Sequence, residues 1–292
     1  MPICDQRSVI ITGAGGGLGR AYALAFAAEG ARVVVNDIRL EAAQAVVSEV
    51  QAAGGEAMAN SGDITTMAGA QSIVDAAVAA YGEVHVLVNN AGILRDRMFI
   101  SLSEDDWDQV MRVHLKGHFC LANILGRRWR DAAKAGNKIE ARIINTSSGA
   151  GLQGSIGQSN YSAAKGGIAA LTLVQAAEMA RYGITVNALA PAARTSMTES
   201  AMPDVVKKPE DGSFDAWAAE NVAPLVVWLG SPASAHVSGQ VFESQGGRIS
   251  LGDGWRTGVT RDKGALWRVE EIGEAVNAIL AEAPKAQRVW GS

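Results

Sequence analysis

Short apolar runs rich in Val and Ile alternate with longer amphipathic stretches along most of the chain. The runs have the length and the β-branched composition of buried strands. They cover residues 8–12, 32–36, 56–60, 84–88, 142–146, 184–189 and 239–243. The stretches between them carry apolar residues at helical spacing, as in the Ala-rich segment 20–29 that ends at Gly30. This alternation predicts an α/β fold, a single doubly wound domain with a seven-stranded parallel sheet.

Two stretches in the second half of the chain do not show this alternation of strands and helices. Residues 192–214 mix small, Met and polar residues without clear periodicity, which is typical of a mobile lid over a substrate, although a plain surface loop has the same composition. Residues 251–292 are predicted to be a C-terminal extension with one helix around 269–283. No repeat or linker divides the remainder, so residues 1–250 are predicted to form one domain that includes the lid.

Three further helices bear on the argument. A long helix is expected within residues 102–130, with Ser103 as its cap and acidic residues in its first turn. Another is expected from Tyr161 to about Tyr182, after a glycine-rich loop at 149–158. A third is expected over residues 214–229.

Composition and charge exclude several classes of function. The 292 residues are 48% hydrophobic and 19% charged, as in ordinary globular proteins. The net charge of −4, without a basic block, argues against nucleic acid as a partner. No signal peptide or membrane span is recognisable, so we expect a cytoplasmic protein without a membrane partner. Cys4 and Cys120 lack ligand-like spacing, and no metal site is predicted.

A glycine-rich loop joins the first predicted strand to the first predicted helix. Gly13 suits the tight turn, Gly17 permits a close approach of a pyrophosphate, and Gly19 permits close packing of helix and strand. The phosphates would bind at the helix N-terminus, where free N–H groups and the helix dipole favour anions. A merely flexible turn is the alternative, but the strand–loop–helix context favours a dinucleotide site.

Acidic residues follow the second and third strands. Asp37 lies eighteen residues after Gly19, where a carboxylate accepts the ribose hydroxyls of the adenosine and repels a 2′-phosphate, so NAD is favoured over NADP. Arg39 is positioned to stack on adenine or, less favourably, to meet a phosphate. Asp63 is expected at the rim of the adenine pocket or as a helix cap before Thr65, and both readings are compatible.

Tyr161 and Lys165 carry the candidate chemistry. On a helix this spacing places both side chains on one face. An ammonium about 4 Å from the phenol, at an effective dielectric of about 20, contributes roughly 4 kcal/mol to the phenolate. The tyrosine pKa would then fall by about 3 and allow proton exchange with an alcohol or ketone. Ser148, after the fifth strand, would bond the same substrate oxygen. An ordinary surface pair is the alternative reading.

Together these motifs resemble the short-chain dehydrogenase/reductase family over about residues 7–248, which implies a Rossmann fold. The further elements of the resemblance are Asn89–Gly92 after the fourth strand, Asn187 and Pro191. The resemblance implies that Tyr161 is the acid/base, that Ser148 orients the substrate oxygen and that Lys165 holds the nicotinamide ribose. The remaining residues expected to bind NAD are Gly13, Gly17, Leu18, Gly19, Asp37, Asp63, Ile64, Asn89, Asn90, Ala91, Gly92, Tyr161, Ala193 and Thr195.

Two positions depart from the family pattern. His114 stands where most members have Asn, at a helix position that supports a water-linked proton path, so His114 is counted among the catalytic candidates. Pro191–Ala192 replaces the usual Pro-Gly, which affects the backbone contacts expected from residues 193–196. A closer resemblance is to the dehydrogenase domains of multifunctional β-oxidation enzymes and their bacterial relatives, which also have His at this position.

The closer resemblance implies oxidation of a secondary alcohol in a (3R)-hydroxyacyl-CoA, possibly steroid-derived, with NAD. Lys207 and Lys208, or Arg127, Arg128 and Arg130, are candidate partners of CoA phosphates, although such small clusters are commonly solvated surface charges. The alternatives are a free hydroxysteroid or other alcohol as substrate, an NAD-binding sensor or scaffold, and an isomerase or dehydratase. The resemblance also implies a homodimer or homotetramer, formed through the helices near 103–130 and 158–182.

Overall fold

The computed structural model, which describes residues 2–285 and 287–292, contains an eight-stranded sheet with the order β3-β2-β1-β4-β5-β6-β7-β8. The strands are β1 Ser8–Thr12, β2 Arg32–Asn36, β3 Glu56–Asn60, β4 Val86–Asn89, β5 Ala141–Thr146, β6 Ile184–Pro191, β7 Val241–Gln245 and β8 Arg248–Leu251. The first seven strands are parallel, and β8 runs antiparallel to β7.

The sequence predicts seven strands, and the structure adds an eighth strand, β8. Gly246, at a φ of +53°, and Gly247 turn the chain back after β7, and the next four residues pair with it as β8. This strand is short and largely exposed, and its Arg-Ile-Ser-Leu sequence has too little apolar content to identify it by pattern. An antiparallel edge strand on an otherwise parallel sheet is common in doubly wound folds.

Helices cover both faces of the sheet, as the alternation of elements predicts. They are α1 Gly17–Ala28, α2 Leu40–Ala52, α3 Met67–Tyr81, α4 Glu104–Met111, α5 Gly117–Lys134, α6 Gly149–Gln153, α7 Ser159–Met179, α8 Ser196–Ala201, α9 Ala223–Gly230 and α10 Val269–Glu282. One core lies between the sheet and α1, α2 and α9, and includes Tyr22 and Phe26. The other lies under α3 and α5, and includes Leu125 and Trp129.

Several predicted helices have different boundaries in the structure. The long helix at 102–130 is divided into α4 and α5 by a π-helical turn at Arg112–Lys116, although Ser103 caps α4 as predicted, its side chain accepting from Asp106 N–H at 3.1 Å. The helix predicted at 214–229 begins only at Ala223, with Pro224 in its first turn. The loop predicted at 149–158 contains α6.

The segment predicted to be a lid contains one short helix, α8, within otherwise irregular backbone. Thr195 caps this helix and accepts from Thr198 N–H at 3.3 Å. An ion pair between Arg194 and Asp215 joins the start of the segment to the residues that follow it. The mobility of this segment and the division of the chain into a domain and an extension stay predictions.

Candidate active site

A cleft of about 280 Å³ opens at the carboxyl ends of the central strands, where the strand order reverses between β1 and β4. Open α/β sheets bind ligands at this switch point. Twelve of the residues expected from the sequence line the cleft: Gly13, Gly17, Leu18, Asp37, Asn90, Ala91, Gly92, His114, Tyr161, Lys165, Ala193 and Thr195. The topology thus brings together residues that lie far apart along the chain.

The glycine loop has the geometry of a phosphate cradle. Gly13 has a φ of +60°, and a Cβ at Gly19 would lie 2.3 Å from the carbonyl oxygen of Gly13. A side chain at Gly19 would therefore force α1 away from the loop. Gly16 precedes α1 without a capping side chain, so the first N–H groups of this helix are available to an anion.

Asn90 and Thr12 hold this loop against the end of β4. The Asn90 side-chain amide donates to the carbonyl oxygens of Thr12 at 3.0 Å and Gly13 at 3.1 Å. In return, the Thr12 hydroxyl accepts from the backbone N–H groups of Asn90 and Ala91. These hydrogen bonds fix the backbone of the glycine loop relative to Asn90 and Ala91, which directly follow β4.

Asp37 directly follows β2, and its carboxylate is directed at the glycine loop. One oxygen accepts from the N–H of Gly15 at 3.0 Å, and the other accepts from the N–H of Arg39 at 3.0 Å. The Arg39 guanidinium lies 3.4 Å from the second oxygen, but its side chain is mostly exposed. The carboxylate is therefore fixed by the chain itself, beside the cleft.

Tyr161 and Lys165 project from the first turns of α7 into the cleft, and Ser148 caps α6 next to them. The Lys165 Nζ lies 5.5 Å from the centre of the Tyr161 ring and donates to the carbonyl oxygen of Thr146 at 2.6 Å. Ser147 donates to the carbonyl oxygen of Lys165 at 2.9 Å. The end of β5 thus holds both the lysine ammonium and the backbone that carries it.

The electrostatics of this group differ from the expectation. Burial raises the pKa of Tyr161, although a hydrogen bond with Ser148 partly offsets the rise and Asp96 adds to it. Burial also lowers the pKa of Lys165 to about 7. The predicted fall in the tyrosine pKa is therefore wrong for the protein groups alone, because desolvation by burial is the largest of the causes that act on the phenol.

His114 lies in the π-helical turn, fully buried beneath the cleft. Its Nε2 is 2.8 Å from the carbonyl oxygen of Ile93, and its ring meets the Tyr161 ring edge-on at 5.2 Å. A Cβ at Gly92 would lie 2.3 Å from the histidine ring, so glycine is required there. Burial, together with the Lys165 charge, lowers the His114 pKa to about 3, and the imidazole is neutral at physiological pH.

Five expected site residues do not line the cleft. Ser148 lies outside the lining but within hydrogen-bond reach of Tyr161. Gly19 lies behind the loop, and Ile64 is buried. Asn89 is buried and donates to the Asn145 side chain at 3.0 Å. Asp63 accepts from both the N–H and the hydroxyl of Thr65, while Thr66 caps α3, so the reading of Asp63 as the helix cap is wrong.

Some lining residues were not expected from the sequence: Gly16, Thr146, Ser147, Pro191, Met197 and Thr198. Thr146 ends a predicted strand and Ser147 directly follows it, and that position is the signal that would have identified them. Met197 and Thr198 belong to α8, where neither charge nor periodicity marks the sequence. Their role follows only from how α8 lies over the cleft.

Comparison with known proteins decides the family. A model described as short chain dehydrogenase matches residues 7–205, which hold the glycine loop, Ser148, Tyr161 and Lys165. The chain belongs to the short-chain dehydrogenase family. A short chain dehydrogenase from Mycobacterium avium, known as a crystal structure, superposes with a TM-score of 0.91 at 53% identity over 99% of this chain and 100% of that one.

Two relatives of this short-chain dehydrogenase have more specific names. Hydroxyacyl-CoA dehydrogenase ChsB1 of Mycobacterium tuberculosis is 47% identical over 253 residues, 83% of this chain and 78% of that protein. Peroxisomal multifunctional enzyme type 2 of Mus musculus is 42% identical over 260 residues, 86% of this chain. The match covers only 32% of the mouse enzyme, so this chain corresponds to about a third of it.

The family assignment identifies the protein as an oxidoreductase that uses a nicotinamide cofactor. The residues around the glycine loop are suited to bind such a cofactor. The uncapped helix N-terminus suits a pyrophosphate, and Asp37 lies beside the loop where a ribose would bind. Among the helices of residues 2–285 and 287–292, none is long and apolar enough to span a membrane.

Proposed function

We propose that this short-chain dehydrogenase interconverts the secondary alcohol of a 3-hydroxyacyl-CoA and the corresponding ketone with NAD. The observation that carries the chemistry is the convergence of Ser148, Tyr161 and Lys165 at the cleft that also contains the glycine loop. The hydroxyacyl-CoA part of the proposal is supported by the names of the relatives.

Tyr161 is the proposed acid/base. In the oxidative direction its phenolate takes the proton of the alcohol as the O–H bond breaks, and in the reductive direction its phenol returns a proton to the ketone oxygen. A nicotinamide cofactor held beside Lys165 and the glycine loop would supply the acceptor for the hydride of the alcohol carbon, and the donor of the hydride in the reverse direction. Ser148 donates to the same substrate oxygen and fixes its distance from Tyr161. The ammonium of Lys165, whose Nζ lies 5.5 Å from the centre of the Tyr161 ring, would favour the phenolate over the phenol.

His114 is proposed to support the proton path rather than to exchange protons itself. An imidazole with a pKa of about 3 stays neutral through the range in which Tyr161 works. Its Nε2 lies 2.8 Å from the Ile93 carbonyl oxygen and 3.0 Å from the Ile93 nitrogen, so the neutral ring can donate to the one or accept from the other next to the tyrosine. A neutral amide at this position would keep the same donor, which is consistent with the Asn that most family members have.

NAD is proposed as the cofactor in preference to NADP. The supporting observation is the fixed carboxylate of Asp37, which would repel a 2′-phosphate in the position where it would accept a ribose hydroxyl. Arg39, although close to Asp37, extends into solvent and is bound to that carboxylate, so its charge is already partly compensated.

The basic residues considered as CoA partners differ in their surroundings. Arg128 pairs with Glu83, Arg130 with Asp131 and Lys207 with Glu210, which supports reading these three as ordinary surface ion pairs. Lys208 instead lines a polar cavity beside Gly17, together with Arg194. Lys208 is therefore the basic residue of this group that the surroundings favour as a partner of a CoA phosphate.

The experiment follows NADH formation with a 3-hydroxyacyl-CoA and with a free hydroxysteroid of similar bulk. We expect a higher kcat/KM for the thioester, and Lys208→Ala should raise its KM without affecting the free alcohol. Lys138→Ala, which removes an exposed lysine of the connector before β5, is the matched control. A preference for the free alcohol that is insensitive to Lys208→Ala would exclude the CoA proposal.

Tyr161→Phe tests the chemistry. Removing the acid/base hydroxyl should lower kcat by at least ~10²-fold, the usual scale of a lost general base. The fold and the affinity for NAD should change little, because the ring and its contact with His114 are retained. Near-normal turnover by this variant would contradict the assigned mechanism.

A homodimer or homotetramer is also proposed. Phe119 of α5 and Leu173 and Val174 of α7 are about half exposed, although they are large and apolar. Residues of α5 and α7 line a shared surface cavity, so these side chains lie on neighbouring helices. An apolar surface shared by two long helices is suited to self-association, because a second copy can bury it symmetrically.

A further inference from the structure

The C-terminal residues of the chain pack against α6, the short helix that Ser148 caps. Trp290 forms a parallel bridge with Ser155: its N–H donates to the carbonyl oxygen of Gly154 at 3.2 Å, and its own carbonyl oxygen accepts from the N–H of Ile156 at 2.9 Å. Val289 contacts Gly154. This pairing joins the end of the chain to a segment more than 130 residues earlier, directly beyond the catalytic serine.

The indole of Trp290 lies against the first residue of α6. A Cβ built on Gly149 would lie 2.4 Å from one indole carbon and 2.7 Å from the next, and its three nearest atoms all belong to Trp290. Gly149 lies in the helix α6 and does not have a positive φ, so its backbone conformation does not require glycine. Glycine is required here because a side chain would collide with the indole of Trp290.

The opposite side of α6 packs on the catalytic helix. A Cβ on Gly151 would lie 2.5 Å from the backbone carbonyl carbon of Lys165 and 2.6 Å from the nitrogen of Gly166. The helix α6 is therefore held between the indole of Trp290 and the backbone of α7. Its cap, Ser148, accepts from the N–H of Ala150 at 3.2 Å, so the serine moves with α6.

We infer that Trp290 is a positioning residue, which presses α6 against α7 and thereby sets the distance between Ser148 and Tyr161. The inference rests on the proposed function insofar as Ser148 and Tyr161 act on the substrate. A helix of only five residues has little stability of its own, and here neighbouring contacts decide its position. Substrate does not need to touch the indole for this role, because the effect passes through α6.

Loosening α6 should move the Ser148 hydroxyl away from the Tyr161 phenol and from the substrate oxygen that it is proposed to bond. In Trp290→Ala we expect kcat to fall by roughly tenfold, the factor that one hydrogen bond to the substrate is worth, while the KM for NAD stays unchanged. The acidic limb of the kcat profile in the oxidative direction should move to higher pH, because the nearby Ser148 side chain lowers the pKa of Tyr161. The other groups around the phenol, Asp96, His114 and Lys165, are left in place.

Matched variants distinguish positioning from a general loss of stability. Trp290→Phe should recover most of the rate, because a ring remains over Gly149. Trp255→Ala removes a fully exposed tryptophan from the same C-terminal region and should leave kcat and its pH profile unchanged. An equal shift of the acidic limb in Trp255→Ala and Trp290→Ala would overturn the inference.

A double-mutant cycle tests the contact itself. Gly149→Ala should lower Tm in the wild-type background but much less in Trp290→Ala, because only the indole blocks the added methyl group. Gly273→Ala, at a helical glycine with open space around it, is the matched control. Additive changes in Tm would mean that Trp290 does not lie on Gly149 and would overturn the inference.

Amide hydrogen exchange separates this inference from the proposed function. Trp290→Ala should speed exchange in residues 149–153, and Trp255→Ala should not. Wild-type protein without NAD-linked turnover would contradict the proposed function, and the exchange rates would then decide the inference alone. Unchanged exchange in residues 149–153 would overturn it whatever the activity.

Discussion

Asp37 holds the glycine loop and faces the proposed position of the adenosine ribose. Both of its oxygens already accept backbone N–H groups, from Gly15 and Arg39, so the carboxylate has no freedom to turn away from an incoming ligand. A carboxylate oxygen can accept more than one hydrogen bond. The residual acceptor capacity and the negative charge therefore face the position where the adenosine ribose is proposed to bind.

Asp37→Ala should weaken NAD binding and relax the preference over NADP. A lost hydrogen bond to a charged acceptor costs about 1.5–3 kcal/mol, so the Kd for NAD should rise roughly tenfold or more. The Kd for NADP should fall, because the repelling charge is gone. Titration with both cofactors measures the change, and Asp75→Ala, at an exposed carboxylate on α3, is the control. Wild-type protein that already prefers NADP would contradict this reading of Asp37.

Residue types and spacing were enough to identify most of the cleft, but not its energetics. The spacing of Tyr161 and Lys165 correctly predicts two side chains in one cleft. It does not reveal that Lys165 donates to Thr146 or that burial dominates both pKa values, because these depend on the depth of the site in the folded chain. Desolvation is a property of the surroundings, and no local motif encodes it.

At the scale of elements, the π-helical turn between α4 and α5 is the feature that the hydrophobic pattern does not predict. It places His114 under the cleft and Gly117 against Ile64. Such turns insert one residue into a helix and occur frequently at functional sites. The strands β1, β2 and β3, in contrast, have the predicted boundaries. In β1 and β2 a Val- and Ile-rich run marks a buried parallel strand, and the start of β3 is marked by Gly54 and Gly55 before it.

The buried His114 should reduce stability in acid. Its pKa is about 3 in the folded chain and near 6.5 when unfolded, so between these values the unfolded chain binds a proton that the folded chain does not. As pH falls through that window, the free energy of unfolding should drop by up to about 1.4 kcal/mol per pH unit from this group. His114→Asn should lose this contribution and show a shallower dependence.

Denaturant unfolding at several pH values between 4 and 6.5 measures the effect. Buried His118 also titrates far below its ordinary range but is present in both proteins, so it cancels in the comparison. His236→Asn, at an exposed histidine, is the control and should keep the wild-type slope. Parallel stability curves for wild type and His114→Asn would show that the imidazole is not excluded from protonation.

For the whole molecule, self-association through α5 and α7 is the main untested prediction. Phe119→Glu combined with Val174→Glu places charges on the half-exposed apolar faces of both helices. We expect the sedimenting species to shift to the monomer, because burying these carboxylates in an interface without partners is unfavourable. Met67→Glu, on α3, is the control for adding a charge at an exposed apolar position.

An unchanged sedimentation coefficient for the double variant would assign the association, if any, to another surface. Loss of secondary structure would show that these side chains support the fold instead, and circular dichroism separates the two results. The sequence resemblance predicts the helices involved but not which face is apolar, since α7 has nearly as many apolar residues towards the sheet as away from it.

The order of strands in the sheet also bears on how the chain folds during synthesis. From β2 onwards, each strand pairs with one that precedes it in the sequence: β2 and β4 with β1, β3 with β2, and β5 to β8 each with the strand just before it. No strand must wait for a later one to be inserted beside it. The strands of the nucleotide-binding half are therefore synthesised first. When Ser148 and Tyr161 are synthesised, the strand against which β5 pairs is already present. Chains stalled after β4 should accordingly bury their first strands before any catalytic residue has been made.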